Sequence, residues 1–330
     1  MIRLVSPRTL RRLGILGMNR RNVGYIGRCN TRRNYRLVDN KLLTKRAALE
    51  RGVSTPELYD TISFQFQIAE AVEALSQRGS FVIKPVQGSG GKGILVITGR
   101  DGDNFVKSSG VVVDASDLRR HTSNILAGLY SLGGRNDQAM VEALLDFDPV
   151  MAPYSHEGVP DIRVIVYRAV PVMAMIRCAT HSSDGKANLH QGAVGVGIDI
   201  GSGRPVAAVQ QGRLVTHHPD TGAPFADLQI PSWQEILELA ASCAEMCGLG
   251  YLGADIVLDR QHGPMLLELN ARPGLSIQVA NQEGLIGRLK VADEIAGSTD
   301  SDADRIRLAR QRFSVDRMVP LAQQAAALAQ

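Results

Sequence analysis

The spacing of apolar positions changes several times along the chain. Ile68, Val72 and Leu75 recur at helical intervals, and Gly79 follows them, so residues 65–78 are predicted to form a helix. Residues 39–50 read as another helix, with Gly52 as its stop and Pro56 beyond. Phe81-Val82-Ile83 predicts a short strand, residues 94–98 a second, and Val111-Val112-Val113 a third. Residues 161–167 and 170–178 are runs of β-branched and apolar residues that predict two consecutive strands. Ser232-Trp233-Gln234-Glu235 has the form of a capping box, opening a helix that runs to Cys247 and closes at Gly248. Residues 254–259 and 265–270 predict a hairpin turning at Gln261-His262-Gly263-Pro264.

Other stretches are less regular. Residues 1–38 show no clear period. Residues 187–203 are glycine-rich and almost uncharged, which suits either a loop or a strand that something approaches closely. The polar run 298–304 reads as a linker, and residues 321–330 as a short Ala-rich helix.

Composition adds limits. The 330 residues are 44% hydrophobic and 21% charged, enough to bury a core and too apolar for a disordered chain. The net charge of +4 conceals an uneven distribution. Residues 1–38 hold ten Arg with no Lys and no acid, so the remainder carries −6. No run approaches the roughly 18 apolar residues of a membrane helix. The basic start lacks an apolar core, so a secretory signal is not expected. Its acid-free, Arg-rich character also suits a mitochondrial targeting segment. Four cysteines (Cys29, Cys178, Cys243 and Cys247) make no disulfide framework, and a reducing, cytoplasmic setting is expected. Cys243 and Cys247, four apart on one helix, are expected to pack rather than bind metal.

Two segments carry candidate chemistry. In Lys84-Pro85-Val86-Gln87-Gly88-Ser89-Gly90-Gly91-Lys92-Gly93, Gly88, Gly90 and Gly93 fit G-x-G-x-x-G. A dinucleotide fold requires a helix after that turn, and here a strand follows. A P-loop requires Ser or Thr after the lysine, and Lys92 is followed by Gly93. Kinase signatures are absent, since Asp146-Phe147-Asp148 is not D-F-G. What remains is a glycine turn between two strands, able to close its amides over phosphates, or an ordinary glycine hairpin. The second segment is the hairpin. Glu268 and Asn270 share one face, Leu267 and Leu269 are expected in the core, and the turn brings Asp255 opposite. Two carboxylates and an amide oxygen suit Mg²⁺ beside nucleotide phosphates. The alternative is a solvent face that happens to carry two acids.

Taken in order, six segments resemble the ATP-grasp superfamily: 39–44, 82–93, 140–144, 161–166, 186–192 and 253–274. The resemblance is strongest to the ligases that add glutamate to the C-terminus of ribosomal protein S6. It implies an α+β fold, with two lobes gripping ATP between antiparallel sheets. It also implies four parts: a basic arm at 1–38, an N-lobe with the glycine loop at 39–139, a C-lobe with a hinge and Mg²⁺ site at 140–290, and a polar linker with a C-terminal helix at 291–330.

Carried over by position, the resemblance implies that Lys41, Lys84, Gly88, Ser89, Gly90 and Gly91 contact the nucleotide. Glu142 and Ala143 would meet adenine, Asp161 the ribose, and Lys186, Ala187 and Asn188 the phosphate side. Asp255, Glu268 and Asn270 would hold two Mg²⁺ ions, with Mn²⁺ as a substitute. Arg163, Arg177, Asn188 and Lys92 would serve phosphoryl transfer, although Arg163 and Arg177 could also be mere surface pairs. Three features depart from the pattern: the extra Lys92, an insertion between Glu142 and Asp161, and a truncated N-terminal lobe, with only 38 residues before Asp39.

The activity implied is an ATP-dependent carboxylate–amine ligase working through an acyl phosphate. The substrates would be glutamate or another amino acid and a peptide or small-molecule amine, including an acidic peptide or protein. A kinase-like phosphotransferase and a non-catalytic nucleotide-binding partner are the alternatives. The basic arm could serve nucleic acid, an anionic membrane or an acidic acceptor, or could pack as a solvated arm on the acidic remainder. A homo-oligomer is also compatible with the sequence.

Overall fold

The computed structural model describes residues 5–88, 90–131 and 133–315. They form two compact units, one of residues 39–46 and 55–146, the other of residues 5–38, 47–54 and 147–315. Among the described residues no helix is long and apolar enough to cross a membrane. The final stretch 321–330, predicted as a helix, lies outside them.

The smaller unit is built on a six-stranded antiparallel sheet: β1 (Leu58–Ile62), β2 (Phe81–Pro85), β3 (Leu95–Asp101), β4 (Asn104–Lys107), β5 (Val112–Val113) and β6 (Ala139–Glu142), in the order β1-β6-β2-β3-β4-β5. Phe81, Ile83 and Ile97 are fully buried on one face of it, against Leu118 and Ile125 of the helix Ala115–Leu126 and Val72 of the helix Ile68–Leu75. The apolar spacing that predicts the second of these helices is the stripe that meets the sheet. Asp114 caps the first, accepting from the Asp117 amide at 2.8 Å.

The larger unit carries a seven-stranded antiparallel sheet: β7 (Asp161–Tyr167), β8 (Val170–Cys178), β9 (Val194–Ile198), β10 (Pro205–Gln210), β11 (Arg213–Leu214), β12 (Tyr251–Asp259) and β13 (Gly263–Asn270), ordered β11-β10-β9-β8-β7-β12-β13. β7 to β9 and β12 are buried almost throughout, which explains why they are largely apolar. The glycine-rich stretch 187–203 contains β9. A Cβ at Gly197 would lie 2.4 Å from the Ala280 carbonyl oxygen, so this is a strand that another backbone approaches closely.

Several sequence expectations are corrected. Ser232 precedes the helix Trp233–Cys247, but its φ of 50° turns the hydroxyl away and it makes no side-chain cap. Leu267 is 37% exposed rather than in the core, because a bulge sets Asp255 opposite Glu268 but Ile256 opposite Leu266 and leaves Leu267 as the extra residue. The run 298–304 is a link only at residues 299–301. Leu285–Ser298 ends there, Asp302–Phe313 begins there, and the Ser301 hydroxyl accepts from the Asp304 amide.

The segment 5–38 has no period but is not irregular. It forms short helical pieces, including Pro7–Arg12, Met18–Arg21 and Tyr35–Asp39. They are pinned by widely spaced anchors. The Asn30 side-chain amide donates to the Tyr251 carbonyl at 2.7 Å and its oxygen accepts from the Tyr251 amide at 2.8 Å. Buried Arg21 donates to the Pro273 carbonyl at 2.7 Å.

Candidate active site

In the smaller unit the chain leaves β2 through Val86 and Gln87, makes the glycine turn and re-enters the sheet as β3. Ser89 lies outside the described residues. Gly90, Gly91 and Gly93 have φ of 65°, 74° and 76°, in the left-handed region. At Gly93 a second constraint applies, since a Cβ there would stand 2.5 Å from the Tyr130 ring. Only glycine meets both conditions.

The ends of the turn are held from several sides. Lys41 donates from Nζ to the Gly88 carbonyl at 2.8 Å, and Gly88 bridges to Ser131. The Gln87 amide donates to both oxygens of buried Asp137 at 3.0 and 3.1 Å, and the Ser131 hydroxyl donates to the same carboxylate at 2.7 Å. His121 Nε2 lies 3.0 Å from the Gly93 carbonyl. Burial lowers the His121 pKa, so the neutral ring donates its Nε2 proton to that oxygen. Lys92 itself is exposed.

Beneath the turn, Lys84 on β2 and Glu142 on β6 are buried and ion-paired, and Lys45 shares the same carboxylate while also donating to the Pro56 carbonyl. Burial pushes the Lys45 pKa down, Glu142 pulls it up, and the balance lies below the ordinary value. The Ala143 amide donates to the Glu57 carbonyl at 2.9 Å.

In the larger unit, four adjacent strands place charged residues in one row. Arg177 on β8 faces Asp161 on β7, Arg163 on β7 faces Asp255 on β12, and Asp255 faces Glu268 on β13. Arg177 forms a two-point pair with Asp161 and also donates to Asp255 Oδ2 at 2.8 Å. Arg163 holds Asp255 through two bonds of 2.7 and 2.5 Å, and the Asn270 amide adds a third donor at 3.1 Å. Both carboxylates are buried.

Burial works to raise the Asp255 carboxyl, but the two guanidiniums outweigh it and hold the pKa below the usual value. For Asp161 burial wins over the single partner Arg177, and the nearby Asp255 charge adds to the rise. The two arginines are therefore parts of a buried network, not surface pairs.

The segment Lys186, Ala187 and Asn188 does not join this row. Lys186 is exposed and pairs with Asp184 at 2.8 Å, and Asn188 accepts from the His190 amide at 3.0 Å. The sequence reasoning missed Lys45, His121, Tyr130, Ser131 and Asp137. Only Lys45 had a signal, lying one helical turn from Lys41 on the helix Lys41–Glu50. The buried thiols Cys178, Cys243 and Cys247 are pushed up in pKa by burial, Cys247 to about 11, which leaves them poor nucleophiles.

Two antiparallel sheets in separate units, one with a pinned glycine turn and the other with a carboxylate–guanidinium row, are the architecture of an ATP-grasp protein. The chain belongs to the sugar-transfer associated ATP-grasp family, whose model matches residues 20–294. Within the superfamily this description differs from the S6 glutamate ligases that the motifs resemble.

Among solved structures, the chain is 15% identical to the ATP-grasp ligase PsnB in complex with a minimal precursor, over 81% of this chain and 63% of that one, with a TM-score of 0.43. It is 14% identical to the D-alanine–D-alanine ligase from Coxiella burnetii, over 90% and 61%, with a TM-score of 0.43. It is 15% identical to the ADP complex of purK, N5-carboxyaminoimidazole ribonucleotide synthetase, over 72% and 45%, with a TM-score of 0.42. The chain thus spans less than two-thirds of the length of each. No curated protein matches.

Proposed function

We propose that the protein is an ATP-dependent ligase that joins a carboxylate to an amine. A carboxylate oxygen attacks the γ-phosphorus as the bond to ADP breaks. The amine nitrogen then attacks the acyl carbon, phosphate leaves, and the nitrogen loses a proton to give the amide. The observation that carries this reading is the row of Arg177, Asp161, Arg163, Asp255 and Glu268, its two aspartates buried, with Asn270 beside it. Fixed guanidiniums of this kind stabilise charge that builds on transferring phosphoryl and acyl oxygens.

In this reading Lys41, Lys84 and the amides of the glycine turn hold the phosphates, and Lys45 shares that duty. Glu142 and Ala143 lie on the adenine side, and Lys92 and Asn188 face reacting groups. Asp161 acts by fixing Arg177 rather than by binding ribose, because Arg177 occupies both of its oxygens.

The donor set fits a hard cation. Glu268, Asp255 and the Asn270 amide oxygen would hold Mg²⁺, and among the described residues no group of three or more His, Cys, Asp or Glu is placed to hold a metal. Asp255 would contribute only by relaxing a guanidinium bond. A bound cation neutralises charge on the phosphates.

Glutamate or another amino acid with a peptide or small-molecule amine remains the proposed substrate pair. The sugar-transfer description of the family adds amino sugars as acceptors. The test is ADP release from Mg·ATP across amino acids, peptides and amino sugars, followed by product mass. An amide plus phosphate supports the ligase, whereas a phosphorylated sugar or other hydroxyl acceptor supports phosphotransfer. Glu268→Ala is expected to abolish ADP release, and near-normal turnover would sink the cation assignment.

A further inference from the structure

Eight arginines between Arg8 and Arg36 are exposed, and among the described residues none of the eight is in an ion pair. The acidic remainder of the chain therefore does not neutralise this segment, and its positive charge faces outward.

The helix Pro7–Arg12 shows how that charge is presented. It buries none of its residues. At about 100° per residue, Arg8, Arg11 and Arg12 fall within one arc of roughly 100°, while Leu10 and Leu13 fall together on the opposite side. Leu10 is 40% exposed and Leu13 59%. The helix is thus basic and amphipathic, with its apolar side also in solvent. The next residues are fixed rather than loose. The Gly14 carbonyl accepts from the Ile286 amide at 3.0 Å, and the Leu16 amide donates to Gln278 Oε1 at 2.8 Å. Further along, exposed Met18 and Val23 alternate with exposed Arg20 and Arg28.

We infer that residues 5–36 form a docking surface for an anionic lipid bilayer. Aliphatic side chains that enter the headgroup boundary, flanked by arginines that reach phosphates, are the chemistry of an interfacial helix. RNA would call for exposed aromatics that stack on bases. The two tyrosines of the segment are already engaged, Tyr25 edge-on to Tyr167 at 5.5 Å and Tyr35 under the Arg272 guanidinium at 4.7 Å. The inference does not rest on the ligase reading.

The test uses the full chain with vesicles of phosphatidylcholine alone, vesicles of phosphatidylcholine mixed with phosphatidylglycerol, and a single-stranded RNA. Binding is expected to the anionic vesicles and not to the neutral ones. Each arginine near an anionic surface changes affinity about fivefold, so R8Q/R11Q/R12Q should weaken binding by roughly a hundredfold. Leu10→Ser with Leu13→Ser should weaken vesicle binding about tenfold and leave any RNA binding unchanged. Because the helix buries nothing, these variants should keep wild-type melting and ATP turnover in solution. No vesicle binding, vesicle binding indifferent to the leucine pair, or tighter binding to RNA than to the anionic vesicles would overturn the inference.

Discussion

Replacing Asp255 with alanine removes the acceptor that holds the charged row together. Asp255 takes two bonds from Arg163, one from Arg177 and one from Asn270. Arg177 keeps Asp161 after the substitution. Arg163 loses its carboxylate partner while its side chain stays only 11% exposed. Breaking a buried pair from one side leaves an uncompensated charge and costs about 3–5 kcal/mol. A domain of this size shifts in Tm by roughly 2–4 °C per kcal/mol, so the larger unit should melt roughly 6–20 °C lower.

Scanning calorimetry without nucleotide or metal measures this directly. Added salt should change the difference little, because the pair is buried. Asp255→Asn, which keeps one carbonyl acceptor, should fall between alanine and the native residue. A melting temperature within about 2 °C of native for Asp255→Ala would refute the reasoning. It would mean that Asp255 serves a ligand and not the fold.

Two other expectations follow. Glu142→Gln leaves Lys45 and Lys84 buried with no counter-charge. It removes the influence that raises Lys45, so that pKa should fall further and the variant should gain urea stability more steeply than the native chain as pH rises from 7 toward 10. His121 has its pKa lowered from 6.5 by burial, so its contribution is present above 6.5 and is lost as pH falls through the lowered value. His121→Gln should flatten that acid limb in a melting series and raise the KM for ATP.

How far the sequence could be read depended on where each determinant lies. β7 and β8 were legible to the residue, because both are runs of apolar and β-branched residues broken only by Asp161, Arg163 and Arg177. Their connecting turn was not. Arg168 and Ala169 both sit at positive φ, 52° and 60°, without the Asn or Gly that usually marks such a turn. Tertiary bonds hold it instead, from the Arg168 amide to the Gly250 carbonyl and from its side chain to Asp293 at 3.0 Å.

The candidate site divides in the same way. Asp255, Glu268 and Asn270 follow from strand alternation within one hairpin. The supports of the glycine turn come from 28 to 50 residues away, through His121 and Asp137. No local pattern encodes such a contact. The fit of Asp255 to two arginines was likewise hidden, because it depends on which strands are neighbours. The segment 5–38 escaped because its buried residues Leu16, Ile26 and Val38 are single anchors spaced too widely to form a period.

The two buried charged clusters differ in a way that bears on their use. In the smaller unit two lysines share one carboxylate, so the cluster carries one excess positive charge beneath the glycine turn. In the larger unit two arginines and two aspartates balance within the row. An excess charge held near a core is unfavourable on its own and is retained where a ligand of opposite sign completes it. The first cluster therefore suits an anion such as a nucleotide phosphate, whereas the cation proposed for the second rests on the oxygen donors of Asp255, Glu268 and Asn270. If that account is right, phosphate-bearing ligands should stabilise the smaller unit and Mg²⁺ the larger. Lys84→Met should erase the first effect and Glu268→Gln the second, each leaving the other in place. Loss of both effects from either single substitution would show that the charges act together rather than as two separately built halves.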